Sequence, residues 1–126
     1  MRIAIAALVC TSALEAPSAS GRVVRWTHAE ASKRIYSGRC PVRLIFTGTI
    51  AAARRGAFTY VWKRSDGAVG PIRTLEASKA GESWHVREVW ELNGSTHGWA
   101  QLWIPSEQHG SRAAHFRVQC KQPGGR

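Results

Sequence analysis

The sequence predicts an all-β domain built from two antiparallel sheets. Short stretches of alternating apolar and polar residues dominate the chain, and Gly, Pro and Asp-Gly interrupt them about every 8–12 residues. No stretch longer than about eight residues has a convincing helical period. About seven such strands fall within the roughly 106 residues after position 20. That number of strands in a domain of that length is typical of a two-sheet sandwich.

The predicted strands follow one another with short connections. Val23–Thr27 supplies a first strand, and a less regular segment covers 29–39. The remaining strands are predicted at 42–50, 58–63, 72–75, 84–92, 98–104 and 113–120. Asp66-Gly67 favours a tight hairpin turn that needs a positive φ, and Asn93-Gly94 marks another turn.

Two predicted strands carry residues that decide how the core is filled. Trp62 is the expected core aromatic of its strand. In 84–92 the parity of Trp84 and Trp90 suggests burial, and Glu88 shares that parity. An inward carboxylate is costly without a partner. A bulge, an edge position or a basic partner could resolve this conflict.

The first twenty residues have the features of a signal peptide. The apolar run Ile3–Val9 is followed by small residues, which suits cleavage near Ser20. Cleavage would remove Cys10 and leave Cys40 and Cys120, and an even number of cysteines in an exported protein indicates a disulfide. No second apolar segment approaches the ~20 residues of a membrane span. We therefore expect a secreted or periplasmic protein with a Cys40–Cys120 disulfide.

The cysteine positions favour an immunoglobulin-like arrangement of the strands. In such a sandwich the first strand can lie parallel to the last, which brings the start of the second strand near the end of the seventh. Cys40 precedes the second predicted strand, and Cys120 ends the last. We divide the chain into a signal peptide (1–20), a strand with an irregular lead-in (21–39), the sandwich (40–120) and a tail (121–126).

A set of motifs within 40–120 resembles a known group of proteins. The longest motif is Tyr60-Val-Trp62-Lys-Arg64-Ser-Asp66-Gly67-Ala68, and the others are Cys40-Pro41, Phe46-Thr-Gly48-Thr-Ile50, Trp90, Trp99, Pro105 and Phe116-Arg-Val118-Gln-Cys120. Together they resemble short exported bacterial immunoglobulin-like domains of uncharacterised function. The resemblance implies the fold and export, and it implies no activity. The basic loop with Arg54 and Arg55 departs from the pattern, and we treat it as a secondary candidate site.

The charge balance favours an anionic partner. Lys and Arg number 18 against 8 Asp and Glu, which gives a formal net charge of +10. Such a charge attracts polyanions, although it also keeps a secreted domain soluble. The basic residues are scattered rather than clustered along the sequence. A nucleic-acid partner is disfavoured because the chain has no recognised nucleic-acid motif and export removes the usual partner.

The sequence contains no motif for catalysis or metal binding. The carboxylates are scattered, and Gly-x-Ser-x-Gly, His-Glu-x-x-His and a phosphate-binding glycine loop are missing from the sequence. Both cysteines that follow the leader are assigned to the disulfide. The five histidines lack the spacing of metal ligands. We therefore expect a protein that is not an enzyme and has no cofactor and no metal.

The tryptophans are the strongest functional indication. Six tryptophans exceed what a core of this size requires, and exposed aromatics often mark recognition surfaces. In 98–104 the aliphatic side chains alternate with Trp99, Gln101 and Trp103. If the aliphatic side chains face the core, both tryptophans face outward. The alternatives are that a bulge turns one of them inward, or that both cover a partner subunit.

The predicted strand neighbours complete a candidate binding site. Strand 98–104 is expected to lie between the strands of Lys63 and Arg117, so cations would border the indole rings. Indoles stack on sugar rings, and flanking cations bind anionic groups. The candidate ligand-binding residues are Trp99, Trp103, Lys63, Arg117 and His115.

These observations predict a recognition module rather than an enzyme. The leading hypothesis is an exported protein that binds an anionic polysaccharide or envelope polymer. One alternative is a protein–protein interaction module, such as a small inhibitor or an adhesion subunit. The other is a purely structural envelope protein.

Overall fold

The computed structural model describes residue 4 and residues 21–121. The predicted signal peptide and tail therefore lie almost entirely outside the described residues. Within 21–121 the chain forms nine β-strands: β1 Val24–Ala31, β2 Ile35–Gly38, β3 Val42–Ala52, β4 Gly56–Arg64, β5 Arg73–Ala77, β6 Ser83–Leu92, β7 Thr96–Ile104, β8 His109–Gly110 and β9 Ala114–Cys120. In that described part, the helices are too short or too polar to cross a bilayer.

The strands of the described residues form two sheets, as the sequence predicts. The first sheet has the order β1-β3-β6 and is antiparallel. The second has the order β2-β9-β7-β4-β5, and β8 adds to β7. Its pairs are antiparallel except β2 with β9, which run parallel. The predicted all-β, two-sheet architecture is confirmed.

The core lies between the inward faces of the two sheets. Phe46 of β3 and Trp90 of β6 meet Phe116 of β9, with ring centroids 5.8 and 5.0 Å from that of Phe116. Both contacts are edge-on, a favoured arrangement because it places a positive ring edge against a negative face. Trp62 is 4% exposed and belongs to the same cluster. Its predicted role as a core aromatic is confirmed.

The two sheets approach each other closely at Gly48 in β3. A Cβ atom at this position would lie 2.7 Å from Leu102 Cδ2 and 2.9 Å from Trp62 Cζ2, both in the opposite sheet. It would also lie 3.0 Å from Val86 Cγ2 of β6. Real Cβ atoms do not approach neighbours so closely, so only glycine lets β3 pack against Trp62 and Leu102 without displacing them.

The predicted Cys40–Cys120 disulfide is present. The parallel pairing of β2 with β9 aligns Gly38 with Cys120, and Cys40 follows two residues later. The Cα atoms of the two cysteines are 5.5 Å apart, and the bond joins residues separated by 80 positions. Since the strand next to β9 leads directly into Cys40, backbone pairing and the covalent bond hold the same end of the sandwich.

The inward carboxylate of Glu88 is explained by its position in an edge strand. β6 pairs with β3 alone among the described strands, so its other side is a free edge. Glu88 is half-buried, and its Oε1 accepts a hydrogen bond from Val89 N at 3.2 Å. Natural sheets use inward-pointing charges at edges because such charges oppose pairing with another chain. Of the three explanations that the sequence allowed, the edge position applies.

The Asp66-Gly67 turn forms as predicted, with Gly67 at φ 88°. The Arg64 guanidinium donates two hydrogen bonds to the Asp66 carboxylate, and Ala68 N donates another at 3.0 Å. These hydrogen bonds hold the pKa of Asp66 below its ordinary value, and the bond from Arg64 makes the largest contribution. The guanidinium also lies 4.2 Å from the centre of the Trp90 ring. The turn is therefore tied to the edge of the core.

Removing the disulfide should destabilise the domain substantially. In the chain-entropy model, a bond that closes a loop of this length contributes roughly 4–5 kcal/mol to the free energy of unfolding. We expect Cys40→Ala/Cys120→Ala to lose about that amount in urea denaturation monitored by tryptophan fluorescence. Adding a reductant should destabilise the native protein and leave the double variant unchanged. A loss below about 1 kcal/mol would contradict this account.

Adding one methyl group at Gly48 should strain the core. Gly48→Ala places a Cβ against Trp62 and Leu102, so we expect a loss of about 1–3 kcal/mol in the free energy of unfolding. Gly94→Ala is the matched control, because a Cβ at Gly94 would have no neighbour within 4 Å. The control should change stability by less than about 0.5 kcal/mol. Equal losses of stability in the two variants would show that close packing around Gly48 does not determine the free energy of unfolding.

Candidate ligand-binding groove

Strand β7 separates its aliphatic and aromatic side chains onto opposite faces of the second sheet. Ala100, Leu102 and Ile104 are 0% exposed and belong to the core. Trp99 and Trp103 are half-buried and face away from it. Strand alternation requires this outcome once the aliphatic residues are buried, and no bulge interrupts β7 at either tryptophan. Both tryptophans therefore face outward in the structure, as the alternation in the sequence predicts.

The register of the neighbouring strands brings the other candidate residues to the same face. His115 of β9 lies opposite Trp99, and Arg117 lies opposite His97. On the other side of β7, Lys63 of β4 lies opposite Gln101. All five candidates for ligand binding thus share the outer face of the second sheet, with β7 in the middle.

Trp103 is already engaged within the protein. The Lys63 Nζ atom lies 4.1 Å from the centre of the Trp103 ring, which is the geometry of a cation–π interaction. On the other side, β8 approaches so closely that a Cβ at Gly110 would lie 2.8 Å from Trp103 Cε3. Lys63 therefore covers the indole rather than bordering it. The pair forms a packed cluster that is separate from the cations of β9.

Trp99, by contrast, has a fixed backbone and an unoccupied ring. Its N–H donates to Ser65 Oγ and its carbonyl accepts from Ser65 N, both at 3.0 Å. Among residues 21–121 its ring forms no stacking or cation–π contact. Of the two predicted platforms, Trp99 is the one that can stack on a ligand without displacing a protein group.

A groove with basic walls lies beside Trp99. Its main depression has a volume of about 450 Å³ and is lined by Arg34, Ile35, His97, Gly98, His115, Phe116 and Arg117. A second depression of about 310 Å³ shares Arg34 and His115 and extends towards β1. A third, of about 370 Å³, shares His97 and Arg117 and extends towards the disulfide end. We call this continuous surface the groove.

The electrostatics of the groove favour an anion. Arg34 and Arg117 are exposed guanidinium groups on its wall, and His97 and His115 add two ring nitrogens each. Glu30 is the single carboxylate among the described residues that line the three depressions. Its Oε2 atom lies 3.9 Å from His28 Nε2, so Glu30 can form an ion pair with a protonated His28. Within 21–121, groups of three or more side chains with a metal-ligating arrangement are missing.

Most of the groove residues were not among the sequence candidates, and Arg34, Ile35 and His97 are three of these. Arg34 and Ile35 lie in the segment that the sequence predicts to be irregular, and they reach the groove because β2 pairs with β9. Arg117 N donates to Arg34 O at 2.8 Å, and Ile35 aligns with Arg117. The signal that could have found them is the parallel pairing itself, since whatever precedes Cys40 must run beside β9. His97 could have been found if the start of its strand had been predicted at Thr96 rather than at Gly98.

The secondary basic loop lies away from the groove. Arg54 and Arg55 are exposed in the loop that connects β3 of the first sheet to β4 of the second. This loop follows Ala52, which pairs with Val24 at the beginning of β1. The groove instead lies towards the end of the sandwich where Cys120 ends β9. The loop is therefore a separate surface.

The comparisons with known proteins concern the fold alone. A solved structure titled Pseudomonas fluorescens alkylpurine DNA glycosylase AlkC bound to DNA containing an abasic site analog aligns with a TM-score of 0.51 and 12% identity, over 79% of this chain. The chain spans 31% of that protein's length. The PKD domain of an M14-like peptidase from Thermoplasmatales archaeon SCGC AB-540-F20 aligns with a TM-score of 0.42 and 13% identity, over 77% of this chain and 94% of that one. No protein-family model and no curated protein matches the chain.

The contact between Lys63 and Trp103 should be measurable as a coupling energy. A double-mutant cycle of Lys63→Ala and Trp103→Leu should give about 0.5–1 kcal/mol in the free energy of unfolding, because each single change removes the same cation–π contact. The cycle that pairs Lys121→Ala with Trp103→Leu is the control and should give no coupling. Equal coupling energies in the two cycles would mean that Lys63 affects Trp103 only through its positive charge and not through direct contact with the ring.

Proposed function

We propose that this protein is an exported, non-enzymatic recognition module whose groove binds an anionic polysaccharide. The observation that carries the proposal is the convergence of Arg34, Arg117, His97 and His115 on one groove whose sole carboxylate faces His28. Guanidinium groups donate paired hydrogen bonds to carboxylate and sulfate oxygens.

An extended polymer fits this site better than a small anion. The three depressions adjoin one another through shared residues, so the surface is elongated rather than a closed cavity. Trp99 stands opposite His115 and offers a ring to one sugar unit while the cations meet the acidic groups of others. A chain of sugars with regularly spaced charges would use the whole length of the groove.

Several features support the remaining parts of the proposal. The disulfide is the kind of bond that persists in secreted and periplasmic proteins, and it accords with cleavage of a leader near Ser20. The parallel pairing of β2 with β9 accords with an immunoglobulin-like sandwich. Asp66 and Glu107 are hydrogen-bonded to backbone amides and to Arg64 or His109, so they serve the fold rather than chemistry.

A protein partner is the second candidate, and one observation favours it. Ile35 is 78% exposed on the rim of the groove, beside Arg117. An exposed aliphatic side chain next to a guanidinium is a common composition for a protein interface, and it adds nothing to a sugar polymer. An inhibitor or adhesion role would use the same groove with Ile35 at its centre.

Binding of sized heparin fragments, measured by isothermal titration calorimetry at low salt, tests the proposal. We expect Arg34→Gln/Arg117→Gln to weaken binding at least about tenfold, because hydrogen bonds to charged groups are lost. Arg54→Gln/Arg55→Gln is the matched control, since it removes the same charge from exposed positions outside the groove. Its effect should be below about threefold. Binding should also weaken as salt is added.

The outcomes separate the two candidates. Equal weakening by both double variants would show attraction to net charge and would overturn a groove site. The protein-interaction module would be favoured by two results together. The protein would bind neither heparin nor a neutral glycan, and it would bind a protein ligand whose binding Ile35→Ser abolishes. Since Ile35 is exposed, this substitution leaves the core unchanged.

A further inference from the structure

The end of the sandwich opposite the disulfide carries a second concentration of cations. Five exposed basic side chains lie there: Arg22, Arg25, Arg54, Arg55 and Lys79. Backbone hydrogen bonds bring their segments together, because Ala53 N donates to Val23 O at 2.6 Å and Gly81 N donates to Ala52 O at 2.9 Å. We call this surface the basic end. It unites residues that are up to 57 positions apart in the sequence.

The carboxylates at the basic end are mostly committed to the protein. The Glu107 side chain is 7% exposed, and its oxygens accept hydrogen bonds from Val23 N and Val24 N at 3.0–3.2 Å. The Glu82 carboxylate accepts from the Ser78 amide and hydroxyl at 2.8 and 2.7 Å. Glu76 is exposed and lines a depression with Arg55. Hydrogen bonding does not remove the charges of these carboxylates, so five cations against three carboxylates leave this end with a net positive charge.

An exposed tryptophan stands at the edge of this surface. Trp26 is 48% exposed and pairs with Ala51, next to the β3–β4 loop that carries Arg54 and Arg55. The register of β1 shifts between Val24 and Trp26, so Arg25 is the extra residue of a bulge. Tryptophan next to Arg and Lys is the composition that proteins place at membrane–water interfaces, where the indole lies at the level of the lipid headgroups.

We propose that the basic end docks on the surface of an anionic phospholipid bilayer. The charges are complementary, because guanidinium groups bind lipid phosphates and an anionic leaflet concentrates basic proteins. The chain also enters the domain at this end, through Gly21. A bilayer would engage both Trp26, at the level of the headgroups, and the cations, at the lipid phosphates.

Docking in this way would orient the groove away from the bilayer. β7 runs from Thr96 at the disulfide end to Ile104 beside the basic end, and the groove lies along the Thr96 half with β9. An extracellular polymer could then reach the groove while the opposite end lies on lipid. The docking proposal does not depend on what the groove binds.

Co-sedimentation of the mature protein with vesicles tests the proposal. Vesicles of phosphatidylcholine alone are compared with vesicles that contain phosphatidylglycerol, and all variants begin at Gly21, after the proposed cleavage site. Arg54→Gln/Arg55→Gln should weaken binding to the anionic vesicles about 25-fold, since each cation near such a surface contributes roughly fivefold. Trp26→Thr should weaken binding to them as well. All seven side chains substituted in the test and in its controls are exposed, so circular dichroism should show unchanged folding.

Two double variants of equal charge serve as controls: Arg34→Gln/Arg117→Gln in the groove and Arg39→Gln/Lys121→Gln at the disulfide end. Each should weaken vesicle binding less than about threefold. Equal losses in all three double variants would overturn the proposal in favour of net charge. Equal binding to neutral and anionic vesicles would also overturn it. Binding to a single-stranded oligonucleotide that depends on Arg54 and Arg55, without binding to vesicles, would identify nucleic acid as the partner instead.

Discussion

The close approach of the two sheets at Gly48 is the constraint on which the rest of the structure depends. Trp62 and Leu102 pack where a side chain at Gly48 would otherwise lie, so the position of β3 against β4 and β7 is fixed to within one residue. A slip of one residue would exchange the two faces of a strand. With Leu102 held in the core, Trp99 and Trp103 must lie on the outer face. The surface that carries the candidate site is thus a consequence of core packing.

Much of this arrangement could be predicted from local patterns. The alternation in 98–104 predicted which side chains of β7 are buried, the Asp66-Gly67 pair predicted a turn, and the two cysteines predicted their bond. The first two features depend on neighbouring residues, and the disulfide followed once Cys10 was assigned to the leader. The signal peptide and the tail lie outside the described residues, and their interpretation stays a prediction.

The features that escaped sequence analysis all depend on contacts between distant segments. β2 has four residues and little apolar alternation, and it exists because β9 supplies a parallel partner. Glu107 is a lone acid in a polar loop, yet it binds amides 83 and 84 positions away. Lys63 was expected beside Trp103, but whether its ammonium group covers the ring depends on rotamers that no pattern encodes. Non-local geometry therefore decided which of two equivalent tryptophans is available.

The disulfide also determines how the molecule would respond to mechanical load. If the chain is pulled at residue 21 and at Lys121, tension passes through β1 and β2 to Cys40 and then directly across to Cys120. Only 21–39 can be drawn out, roughly 65 Å of chain at about 3.4 Å per residue. The residues between the two cysteines, which form β3 to β9, lie off the load path. A domain held by its two ends could thus yield at its N-terminal strands while the groove wall on β7 and β9 stays folded.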